Sequence, residues 1–108
     1  KKILSHQINS AFKNIKNINS ILFAYEPIWS IGTGIIPRNN DLENNIRFIK
    51  RTIKKRLKSK NPKVLYGGSV SPKNISKLKE INDLDGFLIG GSSQNSNKFI
   101  DIVKKTFI

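Results

Sequence analysis

The sequence predicts an α/β fold that is built on a parallel sheet. Short apolar runs at residues 21–25, 63–66 and 87–89 predict three strands, and apolar residues at helical spacing follow each run. A further amphipathic stretch precedes the first strand. Strands and helices that alternate through short connections favour parallel strands joined by right-handed crossovers. We find no linker or second domain in the 108 residues, and we interpret residues 1–108 as a single domain.

The first two predicted helices lie on either side of the first strand in sequence. Apolar residues recur at three- and four-residue spacing over residues 3–15, which predicts a helix that ends near residues 17–19. Asn39 or Asn40 can cap the second helix, because an asparagine side chain accepts hydrogen bonds from the free N–H groups of a first turn. The apolar positions of this helix keep their period until Pro62 stops it.

The last two predicted helices follow glycine-containing turns. Ser71 offers an N-cap with Pro72 at the first helical position, and a short helix is predicted after it. The apolar side of this short helix consists of Ile75, Leu78 and Ile81. The final helix is expected to present a larger apolar set to the sheet, which comprises Phe99, Ile100, Val103 and Phe107.

The composition is strongly basic. Twenty Lys and Arg residues against seven Asp and Glu residues give a formal charge of +13, which raises nucleic acid or an anionic membrane surface as a partner. We favour solvated helix surfaces instead and expect no nucleic-acid or membrane partner, because no row of aromatic residues lies between the cations. Retention on DNA or RNA that persists at moderate salt would favour the alternative, a basic nucleic-acid-binding module.

Residue types that the chain lacks narrow its chemistry. It has no Cys, which excludes disulfides, thiolate chemistry and Cys-based zinc sites. No metal-ligand cluster is present, and Pro37 stands where a dinucleotide fingerprint starting at Gly32 would need its third Gly. His6 lies outside any motif and is interpreted as a surface or packing residue. Because no apolar run approaches the roughly 18 residues of a membrane span, we expect a soluble cytoplasmic protein without metal or cofactor.

Glu26 is the main candidate for chemistry. The segment AYEPIWSIGTG, residues 24–34, places its carboxylate at the end of a predicted buried strand, where α/β proteins bind ligands. A glycine-containing loop follows directly, which is the layout of a base beneath a lid. A carboxylate becomes a useful base near neutral pH when apolar neighbours and excluded water raise its pKa. The alternative is a strand-end Glu paired with one of the many Lys residues.

Two further strand-loop segments follow in sequence order. They are LYGGSV, residues 65–70, and DGFLIGGS, residues 85–92. Together with residues 24–34 they resemble the triosephosphate isomerase family, and the resemblance covers residues 7–108. It implies the C-terminal part of a (β/α)₈ barrel, namely its last three strand-helix units preceded by one helix. Because such a barrel needs about 250 residues, the chain is expected to be a fragment.

The resemblance implies a catalytic base and a lid that covers it. Glu26 corresponds to the residue that removes a proton from the carbon beside a carbonyl, and Ile31 and Leu88 correspond to the residues that close over it. The lid is implied to consist of two hinges and a tip. The hinges are Pro27-Ile28-Trp29 and Ile35-Ile36-Pro37, and the tip is Ser30, Ile31, Gly32, Thr33 and Gly34.

The resemblance also implies how the lid and the substrate are held. Tyr66 and Ser69 match the residues whose hydrogen bonds fasten the closed lid. Backbone N–H groups can bind a phosphate when they converge on it. The resemblance assigns this role to the backbone amides of Gly32, Ser69, Gly90 and Gly91.

The function implied for the complete protein is interconversion of dihydroxyacetone phosphate and glyceraldehyde 3-phosphate in glycolysis and gluconeogenesis. The complete enzyme is implied to be a homodimer without a cofactor. The family's catalytic Lys and His, and its dimer-docking loop, belong to segments that this sequence does not contain, so we expect the 108-residue chain alone to be inactive. The alternative is a truncated, non-catalytic remnant with residual phosphate binding, against which the intact Glu26 and glycine segments argue.

Overall fold

The computed structural model describes residues 1–15, 21–57 and 61–107. Strands and helices alternate, and short 3₁₀ turns at Ile28–Ser30 and Gly91–Gln94 lie in the loops after the first and third strands. In chain order the helices and strands are α1 (Lys2–Ala11), β1 (Leu22–Tyr25), α2 (Asn39–Leu57), β2 (Lys63–Tyr66), α3 (Ile75–Leu78), β3 (Gly86–Phe87) and α4 (Ser96–Phe107).

The three strands form a parallel sheet in the order β1-β2-β3, so the prediction of a parallel α/β fold is confirmed. Tyr25, Tyr66 and Phe87 lie side by side at the carboxyl ends of the strands. The ladder continues one residue further, because the Gly67 N–H donates to the Tyr25 carbonyl and the Leu88 N–H to the Tyr66 carbonyl, both at 2.9 Å. The loops that follow all three strands therefore begin at one edge of the sheet.

Helices cover one face of the sheet and leave the other open. Val64 and Tyr66 are fully buried, whereas Leu22 is 66 % exposed and Ala24 is also exposed. The open face consists of alternate residues, as expected for strands whose side chains point to opposite sides in turn. The apolar core consists mainly of Leu42, Ile46, Ile49 and Ile53 from α2 and the predicted trio Ile75, Leu78 and Ile81 from α3 and its end.

The first helix is shorter than its apolar spacing predicts. α1 ends at Ala11, and the predicted end near residues 17–19 lies outside the described residues. Phe12 leaves the helix because it makes tertiary contacts there: its ring packs edge-on to Phe23 with centroids 5.5 Å apart, and its carbonyl accepts a hydrogen bond from Arg56 Nη2 at 3.2 Å. Two residues of the predicted apolar face are exposed, namely Ile3 and Ile15.

The two asparagines predicted to cap the second helix lie inside its first turn. α2 begins at Asn39, and the Leu42 N–H donates to the Arg38 carbonyl at 2.9 Å. Arg38 therefore occupies the cap position, and Asn40 belongs to the first turn. α2 extends to Leu57, beyond which residues 58–60 lie outside the described part of the chain.

The third helix begins later than predicted. α3 starts at Ile75 rather than at Pro72, and Asn74 stabilises the turn before it. The Asn74 side chain accepts a hydrogen bond from the Ser71 N–H at 2.8 Å and donates one to the Ser69 carbonyl at 3.0 Å. Asn74, and not the predicted Ser71, therefore supplies the side chain that orders this segment.

The last helix buries a different residue from the set that the sequence predicts. Ile102 is 1 % exposed, whereas the predicted residues of α4 are 39 to 82 % exposed. α4 packs beside α3, and this neighbour decides which of several adjacent apolar faces becomes covered. The prediction is thus wrong for the inner-face residues Phe99, Ile100, Val103 and Phe107.

Asp85 joins β2 to α2. Its Oδ2 accepts hydrogen bonds from Lys50 Nζ at 2.8 Å and from the Val64 N–H at 2.9 Å, and Lys63 Nζ lies 3.8 Å from Oδ1. Burial by itself raises the pKa of Asp85, but the hydrogen bonds from Lys50 and Val64 and the two Lys charges outweigh it. The pKa of the carboxyl is therefore lowered from its ordinary value.

We expect Asp85 to make the stability of the chain depend on acid. A carboxyl with a lowered folded-state pKa contributes stability above its unfolded pKa of about 3.9, and this contribution is lost as the pH falls through the folded pKa. Asp85→Asn should therefore lower stability at pH 7 by about 1 kcal/mol and flatten the acid dependence. Urea unfolding followed by circular dichroism between pH 3 and pH 7 measures both.

The matched control for this prediction is Asp101→Asn. Asp101 forms an exposed ion pair with Lys105 at 3.2 Å, and such a pair contributes about 0 to 1 kcal/mol. The control should behave like the unaltered chain. An acid dependence that is equally steep in the Asp85 variant and the unaltered chain would contradict the assignment.

Candidate functional site

Glu26 stands at the carboxyl edge of the sheet, directly after β1. Its side chain lies over Gly67, because a methyl group on Gly67 would meet Glu26 Cγ at 2.7 Å and Oε1 at 2.8 Å. The missing side chain of Gly67 therefore makes room for the carboxylate. Glu26 is exposed, and within the described residues it forms no ion pair with Lys or Arg. This geometry disfavours the alternative of a strand-end Glu paired with Lys.

The loop after Glu26, residues 27–37, is hereafter the lid loop. Pro27 and Pro37 are buried at its ends, and its tip is exposed. Gly32 and Gly34 have φ angles of +68° and +77°, which glycine adopts without the steric cost that other residues incur. The two glycines therefore fix the path of the tip.

Hydrogen bonds within the lid loop make its tip a compact unit. Thr33 Oγ1 lies 3.1 Å from the carbonyl oxygens of Trp29 and Ser30 and accepts a bond from the Ile35 N–H at 3.1 Å. The flanking apolar side chains are exposed, Ile28 by 86 % and Trp29 by 54 %. These hydrogen bonds therefore hold the tip together, while its outer surface is exposed to solvent.

Two apolar residues are implied to cover the base. Ile31 is 50 % and Leu88 is 48 % exposed, and Glu26 is exposed beside them. Both residues lie on loops at the carboxyl edge of the sheet. That they close over Glu26 stays a prediction.

The lid loop is bonded to the loop that follows β2. Ser30 Oγ lies 2.6 Å from Tyr66 Oη and accepts a bond from the Ser69 N–H at 3.2 Å. At the tip, the Gly34 N–H donates to Ser69 Oγ at 3.0 Å. The structure thus brings together Tyr66 and Ser69, the two residues implied to hold the lid, with a third residue, Ser30, whose side-chain role the sequence did not indicate.

Tyr66 is fully buried. Burial raises the pKa of the Tyr66 phenol, and hydrogen bonding with the Ser30 hydroxyl and the Ser69 backbone offsets only part of this effect. The phenol is therefore protonated at neutral pH. Gly68 must lack a side chain at this point, because a methyl group on it would lie 2.5 Å from Tyr66 Cζ and 2.7 Å from Ser30 Oγ. Gly67 and Gly68 thus each need to be glycine for a different steric reason: Gly67 leaves room for Glu26, and Gly68 leaves room for Tyr66 and Ser30.

The predicted phosphate-binding glycines have open space in front of them. A methyl group on Gly32, Gly90 or Gly91 would meet no atom within 4 Å. Within the described part of the chain, their N–H groups donate to no protein acceptor. The Ser69 N–H differs, because it already donates to Ser30 Oγ at 3.2 Å. Anion binding by this fourth donor requires that the long bond to Ser30 be shared or broken.

Four further observations bear on the sequence predictions. No group of His, Cys, Asp and Glu side chains in the described ranges is placed to hold a metal ion. None of the described helices is long and apolar enough to span a membrane. His6 is exposed on α1. The Lys and Arg residues within the described ranges are exposed or, like Lys50, paired with a carboxylate.

These features define an α/β protein whose parallel sheet presents one carboxylate, a glycine-containing lid loop and free backbone N–H groups at a single edge. Comparison with known proteins gives the family. The family model described as Triosephosphate isomerase matches residues 1–106. The chain belongs to the triosephosphate isomerase family.

Curated relatives agree with this assignment. A protein of Mycoplasma mobile named triosephosphate isomerase is 38 % identical over 104 residues, which cover 96 % of this chain and 41 % of the relative. The proteins of the same name from Thermodesulfovibrio yellowstonii and Mycoplasmopsis agalactiae are 35 % identical over 105 residues and 41 % identical over 87 residues. The first match covers 95 % of this chain and 43 % of the relative. The second covers 81 % of this chain and 32 % of the relative. The chain thus spans about two fifths or less of the relatives that it matches.

Proposed function

We propose that the chain supplies the proton-transfer base, the lid and the phosphate-binding loops of a triose-phosphate isomerase. In this proposal it forms the last three strand-helix units of the barrel, preceded by one helix. The observation that carries the proposal is the alignment of the strand ends: Glu26, Gly67 and Leu88 directly follow the registered residues of β1, β2 and β3. This brings the predicted base and the predicted phosphate loops to one edge.

The proposed reaction interconverts dihydroxyacetone phosphate and glyceraldehyde 3-phosphate. Glu26 takes a proton from the hydroxymethyl carbon beside the carbonyl and returns it to the carbonyl carbon, while the hydroxyl proton passes to the former carbonyl oxygen through groups outside this chain. The N–H groups of Gly32, Ser69, Gly90 and Gly91 bind the substrate phosphate, and the lid loop excludes water from the reacting atoms. Glu26 carries the proton between the two steps and can exchange it with solvent hydrogen before returning it, and this chemistry needs no metal or organic cofactor.

The open face of the sheet supports the barrel part of the proposal. In a closed barrel, alternate strand residues point inward and pack against those of the other strands. The exposed residues Leu22 and Ala24 lie on the face that would point inward, since the helices cover the opposite face. A homodimer, a cytoplasmic location and a role in glycolysis and gluconeogenesis belong to the proposal on the strength of the family alone.

A chimera tests the proposed function. The matched segment of the Mycoplasma mobile relative, 41 % of its length, is replaced by this chain, and isomerase turnover is measured in both directions. We expect the chimera to be active, because the remainder of the relative supplies the strands that complete a barrel. The 108-residue chain alone should show no turnover under the same conditions.

The controls separate function from folding. The chimera's unfolding transition and oligomeric state are compared with those of the unaltered relative. A folded chimera without isomerase activity would contradict the proposal and favour a non-catalytic remnant. Strong turnover by the isolated chain would contradict the division of catalytic groups that the proposal assumes.

A further inference from the structure

Ser30 is a fully buried polar residue in the lid loop. Its Oγ has three hydrogen-bond partners: the Ile35 carbonyl at 2.5 Å, Tyr66 Oη at 2.6 Å and the Ser69 N–H at 3.2 Å. The partners lie in the lid loop, at the end of β2 and in the loop that follows β2. The Ser30 hydroxyl therefore joins two parts of the lid loop to each other and joins the lid loop to Tyr66 and Ser69.

The direction of each of these bonds follows from the chemistry of the partners. A hydroxyl donates one hydrogen bond and can accept two. The Ile35 carbonyl can only accept, so Ser30 donates to it. The Ser69 N–H can only donate, so the remaining bond requires that Tyr66 donate its O–H to Ser30. All the capacity of the Ser30 hydroxyl is then used, and its orientation is fixed.

A second hydrogen bond joins the lid loop to the loop after β2, but solvent exposure weakens it. The bond from the Gly34 N–H to Ser69 Oγ is exposed, where water competes for both partners. The bond between Ser30 and Tyr66 is buried, where hydrogen bonds are stronger and where a lost partner costs more. The Ser30 bonds should therefore dominate the attachment of the lid loop.

We propose that Ser30 is a positioning residue of the isomerase, whose hydroxyl holds the lid loop against the loop that follows β2. This inference rests on the proposed function and adds a residue to it. Ser30 lies four residues after Glu26, in the lid loop that begins directly after the carboxylate, so the attachment fixes the start of this loop next to Glu26. The role depends on the hydroxyl and not on the small size of the residue.

Ser30→Ala in the chimera tests the inference. The variant leaves the buried Tyr66 hydroxyl and the Ile35 carbonyl without their Ser30 bonds, so the lid should be closed for a smaller fraction of the time. We expect kcat/KM to fall about 10- to 100-fold, with both a lower kcat and a higher KM. A loss of folded protein alone would lower the apparent kcat and leave KM unchanged.

Thr52→Val is the matched control. Thr52 Oγ1 donates to the Phe48 carbonyl within α2 at 2.8 Å, away from the lid loop, so this variant also removes a partly buried hydroxyl. Its kcat and KM should equal those of the chimera. An active chimera whose kcat and KM are unchanged by Ser30→Ala would overturn the inference and leave the proposed function intact.

A double-mutant cycle with Tyr66→Phe tests whether Ser30 acts through Tyr66. Removing both hydroxyls eliminates the unpaired buried group, so the double variant should be no slower than Ser30→Ala alone. Independent effects that multiply would contradict the proposed hydrogen bond.

Amide hydrogen exchange tests the same inference without catalysis. In the 108-residue chain and in the chimera, Ser30→Ala should speed exchange at the Ser69 and Gly34 N–H groups about 10-fold or more, relative to Thr52→Val. Unchanged exchange at both groups would overturn the inference even if the chimera had no turnover. An inactive chimera with faster exchange would instead overturn the proposed function alone.

Discussion

Replacing Glu26 with Gln should lower the kcat of the chimera about 100- to 10,000-fold, the range that a general base contributes. The amide keeps the size and the position over Gly67 but cannot take a proton. KM should change little, because the N–H groups proposed to bind phosphate are unaffected. Steady-state rates in both directions measure the effect.

Glu80→Gln is the control for this prediction. It removes the same charge from an exposed residue near the end of α3, remote in sequence from the three loops at the carboxyl edge. Its kcat should equal that of the chimera. A Glu26 variant that retained more than about a tenth of the chimera's kcat would be inconsistent with the rate expected of a lost general base.

Gly67→Ala should mainly lower activity, and Gly68→Ala should mainly lower the stability of the fold. A methyl group on Gly67 meets the exposed Glu26 side chain at 2.7 Å, and this side chain can rotate away. Gly67→Ala should therefore displace the base and lower kcat about 100-fold with little loss of stability. A methyl group on Gly68 meets Tyr66 and Ser30, which are both fully buried. Gly68→Ala should therefore destabilise the fold by about 1 to 3 kcal/mol.

Gly91→Ala is the steric control for the stability measurement. A methyl group there meets no atom within 4 Å, and Gly91 lies in the 3₁₀ turn Gly91–Gln94, a backbone conformation that alanine adopts. Urea unfolding should show little loss of stability for Gly91→Ala or Gly67→Ala and a clear loss for Gly68→Ala. Equal stability of the Gly67 and Gly68 variants would contradict the steric roles assigned to the pair.

Much of the fold follows from local sequence. β2 spans the predicted residues 63–66, because Pro62 and Gly67 bound a short apolar run on both sides. The parallel arrangement follows from the alternation of strands and helices. The end of α1 could not be predicted, since it depends on contacts of Phe12 with Phe23 and Arg56, which are distant in sequence. The covered face of α4 likewise depends on α3.

Some residues of the candidate site could be predicted from local sequence, and others could not. Glu26 and the glycine segments carry a local pattern, so sequence alone points to a base, a lid and an anion-binding set. Ser30 gave no such signal, because a single Ser among apolar loop residues is ordinary. Its role depends on Tyr66, 36 residues away. The steric need for Gly67 and Gly68 also becomes visible only when the side chains above them are placed.

The most direct test of the central claim is deuterium incorporation into the substrate. The chimera is incubated in D₂O with dihydroxyacetone phosphate, and the carbon beside the carbonyl is followed by NMR. The account predicts that the chimera introduces deuterium at this carbon and that Glu26→Gln does so at least about 100-fold more slowly. Incorporation at the same rate in the two proteins would contradict the assignment of Glu26 as the base.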